Sequence, residues 1–240
     1  MENRFDLSGK KILVTGAGRG IGWATSKVLA QQGATGVLCD KTAVSEESLQ
    51  ELGHSAQFHC CDVSNRDSVT KLKAAFPHVD GLVLAAGILP FDDWQSDEWD
   101  ASFEQVMSVN VKGGLNVLRV YFDDMCQRGS GTIVFVGSAS GRMGGMQAGP
   151  HYVASKGAIH ALVRWFAQRG AGHGVVVNGV APGSVDTSML AGQPFTAEKV
   201  PAQRMGKPEE IAWPICFLCS SASSYMCGTV MDINGGLIFS

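Results

Sequence analysis

The chain has 240 residues and carries 19 Lys and Arg against 22 Asp and Glu, a formal charge of −3. With 45% hydrophobic and only 17% charged residues it lacks the composition of a disordered segment, and its near-neutral balance excludes a polyanion binder that works through bulk charge. A chain of this length buries roughly 70–75% of its unfolded surface without a disulfide or metal staple, and α/β folds often use it for one domain.

Residues 1–240 are therefore expected to form a single domain. The segment Met1-Glu2-Asn3-Arg4-Phe5-Asp6 has no basic stretch followed by an apolar one, as a secretory signal requires. No apolar run approaches the roughly 18–20 residues that cross a bilayer. The seven cysteines are odd in number and follow no framework spacing, which suits free thiols in a reducing compartment. A cytoplasmic protein with neither a membrane nor a nucleic-acid partner is expected.

The first apolar run, Lys11–Val14, leads into Thr15-Gly16-Ala17-Gly18-Arg19-Gly20-Ile21-Gly22 and then a helical pattern over Trp23–Gln32. A strand, a glycine turn and a helix in this order suit a diphosphate. Gly16 permits the tight turn, Gly18 and Gly20 allow close backbone approach, and Gly22 allows the helix to pack on the sheet. The helix N-terminus then offers free N–H groups and partial positive charge. The second run, Gly36–Cys39, ends at Asp40. A carboxylate there accepts both hydroxyls of an adenosine ribose and repels a 2′-phosphate, by about 4 kcal/mol at about 4 Å and an effective dielectric near 20. Arg19 offsets part of that repulsion by binding a phosphate, but Asp40 is the stronger determinant, and NAD is expected over NADP.

Five more runs follow: Gln57–Cys60, Gly81–Ala85, Thr132–Val136, Val175–Val180 and Thr229–Ile233. They are continuously apolar rather than alternating, as in strands covered on both faces. Between them, helical spacing relates Phe103, Val106, Met107, Asn110, Val111, Gly114, Leu118, Tyr121, Phe122 and Met125, and again Val153, Gly157, Ala158, Ala161, Leu162, Trp165 and Phe166. The alternation predicts an α/β fold, a doubly wound Rossmann-type domain whose seven-stranded parallel sheet carries helices on both faces. The richest loops, Gly137–Pro150 and Pro182–Gly206, each follow a strand and so fall at the ligand end of such a sheet.

Tyr152 and Lys156 stand four residues apart in Tyr152-Val153-Ala154-Ser155-Lys156 and would share one helix face. An unperturbed Tyr titrates near pH 10, and a neighbouring cation lowers that value. The pair suits acid–base work on a carbonyl or alcohol oxygen.

Taken together in order, the glycine loop, Asp62-Val63, Ala85-Ala86-Gly87, Asn110, Ser138, Tyr152/Lys156 and Pro182-Gly183 resemble the short-chain dehydrogenases/reductases, over Lys10 to Gly236. The resemblance implies a Rossmann-type oxidoreductase acting on an alcohol or carbonyl with a nicotinamide cofactor, NAD by the Asp40 argument. It makes Tyr152 the general acid/base and Ser138 the residue that orients the substrate oxygen, with Ser140 a rival. Lys156 would tune Tyr152 and bind the nicotinamide ribose, and Asn110 would support a water in the proton relay. Cofactor contacts would come from Gly16, Gly18, Arg19, Gly20 and Ile21 in the loop, from Asp40, and from Asp62 and Val63 at the adenine. Ala86, Gly87, Tyr152, Lys156, Pro182 and Gly183 would continue along the cofactor, with Val185 and Thr187 at the carboxamide. A homotetramer or homodimer is also implied, through helices that pack between subunits.

The chain departs from the family pattern twice. Leu84-Ala85-Ala86-Gly87 lacks the usual Asn before Ala-Gly, which implies a loss of stability rather than of catalysis. Ser138 and Tyr152 are fourteen positions apart, one more than is common, with the extra residue expected in the glycine-rich Gly141–Pro150 loop. The substrate pocket would be lined by Leu89, Pro90, Ser140, Gly145, Met146, His151, Met189, Leu190 and Phe195, largely apolar, so a small apolar or aromatic substrate is expected. The C-terminal half, with Arg204-Met205-Gly206-Lys207-Pro208 and Ile233-Asn234-Gly235-Gly236, also resembles 3-oxoacyl-(acyl-carrier-protein) reductases. Gly129 and His173 fall where arginines for an acidic carrier are expected in that alternative. Cys216 and Cys219 are read as buried thiols rather than metal ligands, His151 as a surface or pocket-rim residue, and Trp94, Trp99, Trp165 and Trp213 as core or interface aromatics.

Overall fold

The computed structural model describes residues 4–53, 56–193 and 197–239. Elements follow in the order β1 Lys11–Thr15, α1 Gly20–Gln31, β2 Thr35–Asp40, α2 Glu46–Gln50, β3 Gln57–Cys60, α3 Arg66–Ala75 and β4 Gly81–Leu84. Then come α4 Trp99–Met107, α5 Gly113–Arg128, β5 Gly131–Val136, α6 Ser140–Met143, α7 Pro150–Gly170, β6 Val175–Pro182, α8 Pro208–Cys219 and β7 Val230–Ile233. Each of the seven apolar runs is a strand, and every pairing is parallel in the order β3-β2-β1-β4-β5-β6-β7.

Period-two geometry sends alternate residues of each strand to opposite faces. Leu13, Val37, Leu82 and Phe135 pack on one face against α3, α5 and α7, through Leu72, Tyr121 and Phe166. Ile12, Val14, Leu38 and Val134 pack on the other against α1 and α8, through Val28 and Ile215. Both faces are buried, which is why the strand sequences carry no polar alternation. Strand order reverses between β1 and β4, and a crevice opens beyond their carboxyl ends.

The long helical pattern across residues 103–125 is not one helix. A π-helical turn, Ser108–Lys112, joins α4 to α5 and contains Asn110. The Gly141–Pro150 loop is partly helical, since α6 starts at Ser140, and a Cβ on Gly141 would lie 2.7 Å from the Lys156 carbonyl carbon. Trp94, Trp165 and Trp213 are 59%, 47% and 45% exposed, so the core part of that expectation fails for all three. Cys216 and Cys219 are buried free thiols, and no group of three or more His, Cys, Asp or Glu that could hold a metal occurs among the described residues. Among the described residues no helix is long and apolar enough to cross a membrane.

Candidate active site

A cavity of about 730 Å³ opens at the strand-order reversal. The turn after β1 forms its floor. Gly16 sits at φ +66°, and a Cβ on it would lie 2.7 Å from the Ala86 Cα, so this corner excludes any side chain. A Cβ on Gly18 would lie 2.9 Å from Asp40 Oδ2. Gly18 is therefore bare because Asp40 occupies the adjoining space. The Gly18 N–H donates to Asp40 Oδ2 at 3.0 Å, and the Thr42 N–H donates to Oδ1 at 3.1 Å. These bonds fix the carboxylate at the end of β2, facing the cavity.

All the residues expected to contact a cofactor line this one cavity: Gly16, Gly18, Arg19, Gly20, Ile21, Asp40, Asp62, Val63, Ala86, Gly87, Tyr152, Lys156, Pro182, Gly183, Val185 and Thr187. Lys41, Thr42, Cys61 and Ser64 also line it and were not anticipated. No motif marks them; they come from the strand ends adjoining Asp40 and Asp62. A glycine floor, a helix N-terminus and a carboxylate at the end of β2 fit an adenine dinucleotide.

Thr15 Oγ1 accepts from the Ala85 and Ala86 N–H groups at 3.2 Å each, tying the end of β1 to the end of β4 beside the position of the absent Asn.

Tyr152 lies in the first turn of α7, which begins at Pro150, a residue whose fixed φ favours helix starts. The Ser138 hydroxyl, two residues beyond β5, accepts from the Ser140 N–H at 3.1 Å, and Ser138 and Tyr152 line the same cavity. Tyr152 and Lys156 are 8% and 6% exposed. Burial pushes the phenol up to about 12, and the Ser138 hydroxyl opposes only part of this. The downward pull expected from Lys156 does not prevail in this state. Its Nζ lies 5.5 Å from the Tyr152 ring centroid and donates to the Val136 carbonyl at 2.9 Å. Burial lowers the Lys156 ammonium to about 8.

Asn110 is buried behind the cavity wall rather than in it. Its Oδ1 accepts from the Ile88 N–H at 2.8 Å, and its Nδ2 donates to the Ile88 carbonyl and to Ser155 Oγ, each at 3.0 Å. A Cβ on Gly87 would lie 3.4 Å from Asn110 Oδ1 and 3.7 Å from Lys156 Nζ, so Asn110, Gly87 and Lys156 adjoin.

On the substrate side, Leu89, Ser140, Met146, Met189 and Leu190 line the cavity as expected, joined by Phe91, Met143, Met205 and Leu237. Pro90, Gly145 and His151 do not, and Phe195 lies outside the described residues. His151 is the clearest correction: its side chain is 0% exposed and sits 3.1 Å from Asp92 Oδ1, not at a rim.

The family model described as enoyl-(acyl carrier protein) reductase, within the short-chain dehydrogenases, matches residues 16–238. Among curated proteins, a 3-oxoacyl-(acyl-carrier-protein) reductase of Thermotoga maritima is 36% identical over 97% of this chain and 99% of its own. A galactitol 2-dehydrogenase (L-tagatose-forming) of Cereibacter sphaeroides is 38% identical over 97% of this chain and 96% of its own. Among solved structures, a gluconate 5-dehydrogenase from Burkholderia cenocepacia, in complex with NADP and tartrate, superposes with a TM-score of 0.88 at 29% identity, covering 98% of this chain and 97% of that one. The chain belongs to the short-chain dehydrogenase/reductase family. It is an oxidoreductase of the class that acts on CH–OH groups with a nicotinamide dinucleotide.

Proposed function

We propose that the protein interconverts a secondary alcohol and a ketone with NAD(H), on a small apolar or aromatic substrate. The observation that carries this reading is that Ser138, Tyr152 and Lys156 line the same cavity as the glycine turn after β1 and the methionines Met143, Met146 and Met189. When bound, the nicotinamide supplies or accepts the hydride. In the reducing direction, Ser138 orients the carbonyl oxygen and the protonated Tyr152 phenol gives it a proton. Lys156 holds its charge against the phenolate that results, and Asn110 supports the route by which the proton is replaced.

The substrate class follows from the wall. Among the described residues that line the cavity, the cations are Arg19, Lys41 and Lys156, the first two beside Asp40 and the third beside Tyr152. Phe91, Met143, Met146, Met189, Leu190 and Met205 offer a carboxylate no partner. The cofactor preference follows from Asp40, whose charge opposes a 2′-phosphate. We further assign the activity to one cytoplasmic domain over residues 1–240 that self-associates to a homodimer or homotetramer. All seven cysteines being free supports the reducing compartment.

The second reading, a 3-oxoacyl-thioester reductase, is favoured by the Thermotoga maritima relative. Against it stand Asp40 and the absence of arginine at Gly129 and His173. Initial rates of NADH and NADPH oxidation distinguish the two, measured against aryl ketones, diketones, cyclic ketones and a 3-oxoacyl thioester, with Tyr152→Phe as the control. Turnover of a free ketone with NADH supports the first reading. Turnover of the thioester alone, with NADPH, replaces it by the second.

A further inference from the structure

His151 precedes the proposed acid–base residue and is used by none of the chemistry above, yet it is among the most constrained side chains of the molecule. Its ring is fully buried, folded beneath Gly149, where a Cβ would lie 2.6 Å from His151 Cε1. Tyr152 occupies the first turn of α7, so its backbone N–H belongs to the set that a helix leaves without a full partner. That N–H donates to His151 Nδ1 at 2.9 Å, sharing itself with the Gly149 carbonyl at 3.1 Å. An Nδ1 that accepts requires a neutral ring with its proton on Nε2. Nε2, buried and without a partner of hydrogen-bond geometry, lies 3.1 Å from the Asp92 Oδ1 carboxylate oxygen. The Trp99 ring covers the imidazole at 5.4 Å between centroids.

Asp92 stands in the segment from residue 88 to 98, which connects β4 to α4 without regular structure and contributes Ile88, Leu89 and Phe91 to the cavity wall. Its first residue is gripped from behind by Asn110 through both backbone groups. Phe91 lies between that grip and Asp92, 37% exposed. We propose that His151 and Asp92 are positioning residues: His151, held on the first turn of α7, anchors Asp92 through their buried polar contact and with it the segment that carries the Phe91 wall. The pair thereby limits the size of substrate that reaches the Ser138 and Tyr152 hydroxyls. The inference rests on the role proposed for Tyr152, but the tie is measurable without it.

The test compares Asp92→Ala with Asp92→Asn, which removes the charge and keeps an acceptor for Nε2–H. Backbone hydrogen exchange over residues 88–98 is read in the protein with NADH and without substrate, and KM and kcat are then read for a methyl ketone series of increasing bulk. Asp92→Ala is expected to speed exchange in this segment and to change KM for the bulkiest ketone by about tenfold, as expected for one lost buried polar contact to a carboxylate, with kcat and NADH affinity held within about twofold. Asp92→Asn is expected to restrain exchange and keep KM within about threefold. Unchanged exchange in Asp92→Ala overturns the tie, and so does an Asp92→Asn variant indistinguishable from Asp92→Ala. A general loss of exchange protection outside the segment, with a fall in kcat and NADH affinity, marks a merely structural role and also overturns it. If the unmodified protein turns over no ketone, the proposed function fails while the exchange comparison still decides the tie.

Discussion

The two ends of the cavity are built from different material. The dinucleotide end is made of backbone: a turn of glycines, a helix N-terminus, strand ends, and a carboxylate held by two N–H groups. The substrate end is made of side chains, chiefly Met143 at the end of α6 and Met146, Met189 and Phe91 on connecting segments. Backbone geometry tolerates little change, because a Cβ in the wrong place meets atoms that cannot move. Methionine has three soft torsions and refills space. One end can therefore serve a whole family unchanged while the other is revised for each substrate. Ser138 and Tyr152, the residues proposed to act on the substrate oxygen, stand just beyond β5 and on α7.

The sharpest break in that comparison is at the junction itself. Tyr152→Phe keeps the ring and its packing and removes the oxygen. Turnover is expected to fall by about 10²- to 10⁴-fold, the range for a positioned acid or base, with NADH affinity nearly unaltered. Near-native turnover would place the proton donor elsewhere.

The next effect is on stability. His160, on α7 four residues beyond Lys156, is 4% exposed and packs beneath Gly137, where a Cβ would lie 2.5 Å from its Nε2. Burial first, then the charges of Arg142, Lys156 and Arg164, lower its pKa to about 4. The unfolded chain, near 6.5, thus takes up a proton that the folded one refuses. Stability is complete above pH 6.5 and falls as the pH is lowered towards 4, by up to about 3 kcal/mol. Denaturant midpoints from pH 7 to pH 4 test this, with His160→Gln expected to flatten the slope. An unchanged slope would assign the acid sensitivity to other groups.

At the dinucleotide end, Asp40→Ala removes the charge that opposes a 2′-phosphate and leaves Arg19 and Lys41 in place. The ratio of NADP to NAD affinity is expected to rise by about tenfold, or about 1.4 kcal/mol. Titration with both cofactors measures it, and an unaltered ratio removes Asp40 as the discriminator.

How far these features were legible in the sequence follows the same division. All seven strands stand within one or two residues of their apolar runs, because burial on both faces leaves a local signature. The turn from Gly16 to Gly22 was equally legible, since its glycines answer to local stereochemistry. The specific duty of Gly18 was not, because Asp40 meets it from 22 positions away. The π-helical turn at Asn110 hides inside a continuous 3.6-residue pattern, and nothing in that pattern marks one extra residue per turn. His151 was misplaced at a rim because its partners, Asp92 and Trp99, are brought to it by folding of the β4–α4 connection. Burial, which raises the Tyr152 phenol, is likewise invisible in sequence, whereas a cation four residues away is not.

The smallest effect concerns the substrate end. Met146 is 43% exposed and lies in the turn between α6 and α7, within the stretch expected to hold the extra residue between Ser138 and Tyr152. Met146→Ala removes a flexible wall and no hydrogen bond. A partly exposed side chain recovers only part of the roughly 1.5–3 kcal/mol available to one fully buried, so KM for an aryl ketone should rise by about threefold, with kcat and NADH affinity unchanged. The same substitution should leave KM for the smallest ketone untouched, because that substrate does not reach the wall. An equal rise for both ketones would mean that Met146 acts through the placement of α7 rather than by contact, and the division between a backbone-built and a side-chain-built end would then not hold at this turn.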